Sequence, residues 1–67
     1  MDNRRIIVLY QGKTIELEKS LTVKQLLNEL RLNPLEHLVQ VDGKLYTEDR
    51  LIKVGSRVVI HRVTSAG

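Results

Sequence analysis

The sequence has no cysteine, no tryptophan and no phenylalanine, and only one proline and four glycines in 67 residues. Without cysteine there is no disulfide staple and no thiolate ligand, which argues against a secreted mini-protein and fits a reducing cytosol. No apolar run approaches the roughly 20 residues of a membrane span. The start Met1-Asp2-Asn3-Arg4-Arg5 leads only into Ile6-Ile7-Val8-Leu9, too short for the apolar segment of a signal peptide. A cytoplasmic location with no membrane partner is expected. Tyr10 and Tyr46 are the whole aromatic content, so the stacking platforms used by single-strand binders are scarce. Eleven Lys and Arg against eight Asp and Glu give a net charge of +3, but the basic residues are scattered from Arg4 to Arg62 without forming a block. A solvated surface of mild positive bias is therefore expected, and nucleic acid is not the expected partner. His37 and His61 stand far apart with no carboxylate or thiol cluster beside them, so no metal site is expected.

What is present is patterning. Val23, Leu26, Leu27 and Leu30 fall at i, i+3, i+4 and i+7, which puts them on one stripe of a helix within the stretch Leu21 to Leu32. Thr22 is suited to the N-cap, and Gln25 three residues on completes a capping box; Leu21 before the cap can pack on Leu26 as a hydrophobic staple. Pro34 marks the expected stop, because it holds Asn33 out of the α region. A chain this short buries only about 60% of its unfolded surface, so one thin core is available. A single helix cannot hide its own stripe, and a sheet must cover it.

The remaining chain reads as strand and turn. Arg4 to Tyr10 is a first strand, Gln11-Gly12 a two-residue loop, and Lys13 to Glu18 alternates cleanly. If Tyr10 pairs with Lys13, Val8 faces Ile15 and Ile6 faces Leu17, all toward the helix, while Ile7 and Leu9 point away. After the helix, His37 to Val41 puts Val39 and Val41 on one face and Leu38 and Gln40 on the other. Asp42-Gly43 is a type I′ hairpin signal leading into Lys44-Leu45-Tyr46. Leu51, with Ile52 beside it, is expected to return to the core, and Gly55 to turn the chain into a last strand from Arg57 to Val63. That strand points Val58 and Ile60 inward and Val59, His61 and Val63 outward. The order is β-β-α-β-β-β: an α+β fold with a mixed sheet of four to five strands packed on one helix, the first and last strands parallel in its centre. This is the β-grasp, ubiquitin-like arrangement, over residues 1–63, followed by a flexible C-terminal tail, 64–67.

Several segments together resemble a known family. They are Thr22-Val23 with Leu26-Leu27 and Leu30, Leu32-Asn33-Pro34, Val39-Gln40-Val41-Asp42-Gly43-Lys44, and the closing Leu51, Gly55, Val58, Ile60 and Arg62. The chain is similar along nearly its whole length to the ubiquitin-like sulfur carriers (the ThiS/MoaD group) and the archaeal small modifier proteins. The resemblance implies that the protein is not itself an enzyme but the substrate of one. A ubiquitin-activating-type adenylating partner would use ATP to activate the carboxylate of Gly67. A sulfurtransferase or other sulfur donor would then form a thiocarboxylate, or a target protein or downstream synthase would capture the acyl group. No bound cofactor and no catalytic side chain in this chain are implied, and the free protein is expected to be a monomer. Thiamin, molybdenum-cofactor, tRNA-thiolation and protein-conjugation pathways all remain open.

The terminal pair departs from the family pattern, being Ala66-Gly67 rather than Gly-Gly. A methyl in a tight channel costs on the order of 1–3 kcal/mol. Ala66 leaves three readings open: slower activation, a partner with a looser channel, or a relative that has lost the chemistry. Val59, His61 and Val63, with Ile7, Leu9 and Leu38, are expected to form an outward apolar patch, and contiguous patches of this kind suggest a partner surface. In ubiquitin-like proteins this sheet face docks activating enzymes. Arg62 is a further partner-binding candidate beside the tail, either for an acidic groove or as a cap on the sheet edge. The rival from another class is a β-grasp protein- or RNA-interaction module without tail chemistry.

Overall fold

The computed structural model of the protein describes residues 4–63. Its elements are β1 (Ile6–Tyr10), β2 (Lys13–Leu17), β3 (Leu21–Thr22), α1 (Val23–Glu29), a 3-10 turn at Pro34–Glu36, β4 (His37–Val41), β5 (Lys44–Tyr46), β6 (Leu51–Ile52) and β7 (Arg57–Arg62). The five longer strands form one mixed sheet in the order β2-β1-β7-β4-β5, and β3 and β6 pair as a separate two-stranded piece. β1 and β7 run parallel in the centre, and the other pairs of the main sheet are antiparallel. This is the β-grasp architecture. The expected tail, with Ala66 and Gly67, lies outside the described residues.

Turn chemistry sets both hairpin registers. Gln11 (φ 48°) with Gly12 (φ 78°), and Asp42 (φ 51°) with Gly43 (φ 84°), have the paired positive φ of type I′ turns. Tyr10 therefore sits opposite Lys13, Val8 opposite Ile15 and Ile6 opposite Leu17, while Val41 sits opposite Lys44. Because side chains alternate along a strand, these registers turn Ile6, Val8, Val39, Val41, Val58 and Ile60 toward the helix. There they are buried with Val23, Leu26, Leu27 and Ile52.

The helix begins as its sequence dictates. The Thr22 N–H donates to Gln25 Oε1 at 2.9 Å, and the Gln25 N–H donates to Thr22 Oγ1 at 3.1 Å. Two further N–H groups of the first turn are taken by the loop after β5: Val23 donates to the Arg50 carbonyl and Lys24 to that of Glu48. Leu21 lies partly buried against the core and pairs with Ile52 across the β3–β6 ladder.

Its end departs from expectation. The helix stops at Glu29 with Leu30 as C-cap, well short of Pro34. Arg31 takes a left-handed conformation (φ 58°), its N–H donates to the Asn28 carbonyl at 3.1 Å, and the Leu32 N–H donates to the Leu27 carbonyl at 2.8 Å. This pair of bonds is a Schellman motif, which satisfies two terminal carbonyls and returns Leu32 to the core. Pro34 instead opens the 3-10 turn. A second correction concerns Leu51, which is 48% exposed, whereas Ile52 is fully buried. Adjacent strand residues face opposite ways, and the pairing of Ile52 with Leu21 turns Ile52 inward.

The one buried polar side chain among the described residues is His37. In the tautomer protonated at Nδ1, its ring donates to the Asn33 carbonyl at 2.8 Å and accepts at Nε2 from the Tyr10 hydroxyl at 3.0 Å. The two rings also meet edge to face, with centroids 5.5 Å apart. The inward positions at the end of β1 and the start of β4 are thus filled by a satisfied polar pair, which ties the first hairpin to the crossover loop.

Two stability predictions follow from these geometries. Arg31→Gly relieves a left-handed backbone on a residue with a Cβ and should raise stability by about 0.5–1 kcal/mol; urea denaturation with an unchanged or lower midpoint would contradict the account. Tyr10→Phe keeps the packing but removes the donor to His37 Nε2, and should lower stability by about 1 kcal/mol in the same measurement.

Candidate functional site

With one face of the sheet covered by α1, the alternate residues of every strand are left on the other. The registers place them in rows. Thr14, Leu9, Val59, Gln40 and Leu45 lie side by side across all five strands. Ile7 stands between Glu16 and Arg57 in a neighbouring row, and His61 stands opposite Leu38 toward the far end. Ile7, Leu9 and Val59 are half-buried by their neighbours, while Leu38 and Leu45 are exposed. The open face is therefore an apolar strip along β1 and β7, flanked by leucines on β4 and β5.

Polar groups frame this strip. His61 Nε2 and Gln40 Oε1 are 2.8 Å apart, so the two polar side chains within the strip satisfy each other. At the β2 edge, Arg5 donates to Glu16 at 2.7 Å and lies 3.8 Å from Glu18. At the turn end, Asp42 Oδ1 accepts the Arg57 N–H at 3.0 Å and the Asp42 N–H donates to the Arg57 carbonyl, which clamps the second hairpin to the start of β7. The face thus has an apolar centre with charged groups of both signs at its rim.

Of the residues expected to meet a partner, Ile7, Leu9, Leu38, Val59 and His61 share this face. Val63 follows at its end, 43% exposed, with its N–H donating to the Glu36 carbonyl at 2.7 Å. Arg62 is not brought together with them: it pairs with the inward-facing His37 and so alternates to the helix side of the sheet, where its side chain is exposed. Ala66 and Gly67, the expected activated end, lie outside the described residues. Leu45, 59% exposed, was not among the expected contacts. The signal for it was present, since a two-residue loop at Asp42-Gly43 puts Leu45 opposite Gln40.

Other concave regions carry less chemistry. An open groove of about 790 Å³ runs between β2 and α1, lined by the Arg5–Glu16 pair, Glu18, Leu17, Gln25 and Glu29. Lys19 and Ser20 also line it, and the Ser20 hydroxyl accepts the Val54 N–H at 3.2 Å. Among the described residues no group of three or more His, Cys, Asp or Glu could hold a metal ion, and no helix is long and apolar enough to cross a membrane. Both tyrosines lie on the helix side of the sheet: Tyr10 against His37, and Tyr46 opposite Val39 with the Arg50 guanidinium 4.1 Å from its ring centroid. A scan against models of known protein families finds no match to this chain, and a search of curated proteins finds none.

Proposed function

We propose that the protein is a ubiquitin-like carrier or modifier that docks an adenylating enzyme through the open face of its sheet and presents the carboxylate of Gly67 for activation. The observation that carries this reading is the course of β7. The strand runs through the centre of the sheet, contributes Val59 and His61 to the open face, and leads at Val63 into the uncharged residues Thr64-Ser65-Ala66-Gly67. The strand that carries the docking surface is thus the one whose sequence continues toward the reactive end.

The chemistry asks little of the chain itself. A carboxylate oxygen of Gly67 attacks the α-phosphorus of ATP and pyrophosphate leaves. Hydrosulfide or an amine then attacks the acyl carbon, AMP leaves and a proton is released, giving a thiocarboxylate or an amide. The terminal residue needs no side chain, and glycine admits the narrowest channel. Thiamin, molybdenum-cofactor, tRNA-thiolation and protein-conjugation pathways all use this sequence of steps.

The second reading is a β-grasp docking module that uses the same face without tail chemistry. Ala66 favours it, because its methyl enters a channel fitted to glycine at a cost of about 1–3 kcal/mol, one to two decades in rate. An RNA-binding version has less support, since neither tyrosine lies on the open face to stack a base.

Intact mass spectrometry separates the two readings. After incubation with an adenylating enzyme of the ubiquitin-activating class from the same source, ATP and a sulfur donor, the protein should gain the mass of sulfur-for-oxygen exchange at Gly67. Deleting Gly67 should abolish the gain. Val59→Asp, which puts a charge in the middle of the apolar strip, should slow it by roughly tenfold or more while the domain stays folded. An unchanged wild-type mass alongside a reactive Ala66→Gly variant would establish the docking module instead.

A further inference from the structure

A leucine alone in water is ordinary, but Leu35, 90% exposed, is held there by an organised turn. Pro34 fixes the backbone at the start of the turn, and the Leu35 N–H donates to Asn33 Oδ1 at 2.9 Å. The Asn33 carbonyl accepts both the Glu36 N–H at 3.0 Å and the His37 Nδ1–H at 2.8 Å. Through Tyr10 the His37 ring is anchored in turn to the central sheet. Four hydrogen bonds therefore fix the geometry of a loop whose one large apolar side chain touches almost nothing. Rigid presentation of an apolar side chain is what an interface anchor requires, because the ordering cost is met before binding.

Position gives the anchor its partner. The Val63 N–H donates to the carbonyl of Glu36, the residue after Leu35, so the chain leaves the sheet beside this turn. Leu38 and Val63, 47% and 43% exposed, extend the apolar surface there. Residues 64–67, fully extended, reach about 13 Å beyond Val63. Any site that acts on Gly67 must come within that reach, and the surface around it then abuts the end of the sheet that carries Leu35.

We propose that Leu35 is an anchor for the tail-acting partner, entering a small aliphatic pocket at the mouth of the channel that takes residues 64–67. The inference rests on the carrier reading and adds a second contact to the open face. Glu36 and Arg62, exposed on either side of the Val63 exit, supply a polar rim of both signs.

The test is ATP–pyrophosphate exchange by an adenylating enzyme of the ubiquitin-activating class from the same source, with this protein as the varied substrate. Leu35→Ser should raise KM by roughly tenfold or more, the scale of one buried leucine, and leave kcat within about twofold. Leu35→Met should restore most of the loss, and Leu51→Ser, an equivalent truncation on β6, should change neither constant. The melting temperature of Leu35→Ser should match that of the wild type, which separates docking from folding. An unchanged KM for Leu35→Ser, with exchange by the wild type intact, overturns the anchor and leaves the carrier reading standing. A wild-type protein that supports no exchange overturns the carrier reading, and the anchor with it.

Discussion

The parallel pairing of β1 with β7 is the contact on which the rest of the molecule depends. It joins the two ends of the described chain, with Ile7 opposite Arg57, Val8 opposite Val58 and Leu9 opposite Val59. Closing so long a loop costs conformational entropy before any local reward arrives. Several devices around the junction offset that cost. Gly55 turns with positive φ, its N–H donates to the Arg5 carbonyl, and the Ile7 N–H donates to the Ser56 carbonyl. From the other side, Asp42 holds both backbone groups of Arg57. Once the two strands are in register, Val8 and Val58 fall under the helix while Leu9 and Val59 fall on the open face. One pairing thus produces both the core and the candidate docking surface.

The same constraint shapes what the molecule can do. Among the described residues, all ten buried apolar side chains are committed to one side of the sheet or to the helix and β6 above it. What remains on the open side, from half-buried Ile7, Leu9 and Val59 to exposed Leu38 and Leu45, is uncovered by any described element. Two pairs of polar side chains on that face are hydrogen-bonded to each other, His61 with Gln40 and Glu16 with Arg5. Under the proposed carrier reading, a partner recognises this surface and the chemistry falls to the segment that follows Val63.

Legibility in the sequence followed the strength of local chemistry. Both hairpin registers could be read because Gly12 and Asp42-Gly43 admit few turns, and the capping box of Thr22 and Gln25 announced the helix start. The helix stop was misplaced because Arg31 gives no sign of a left-handed cap that glycine usually fills. Leu51 and Ile52 were indistinguishable as an adjacent apolar pair; only the pairing with Leu21 chooses between them. His37 shares the parity of Val39 and Val41, yet a histidine at a core position draws attention to itself only when Tyr10 is seen to meet it. Arg62 is a partner candidate through its place beside the tail alone, and strand alternation sends it to the helix side of the sheet. Leu35 could not have been found, because nothing in Pro-Leu-Glu distinguishes a leucine held in solvent from one returning to the core.

The most direct test of the central claim is a residue-resolved map of docking: backbone amide chemical shifts of the labelled protein, recorded while an adenylating enzyme of the ubiquitin-activating class from the same source is titrated in. The account predicts shifts and broadening concentrated at Ile7, Leu9, Leu35, Leu38, Gln40, Leu45, Val59 and His61, with the outward face of α1 at Lys24, Gln25 and Asn28 unmoved. Perturbations confined to that helix face, or to the groove between α1 and β2, would contradict it.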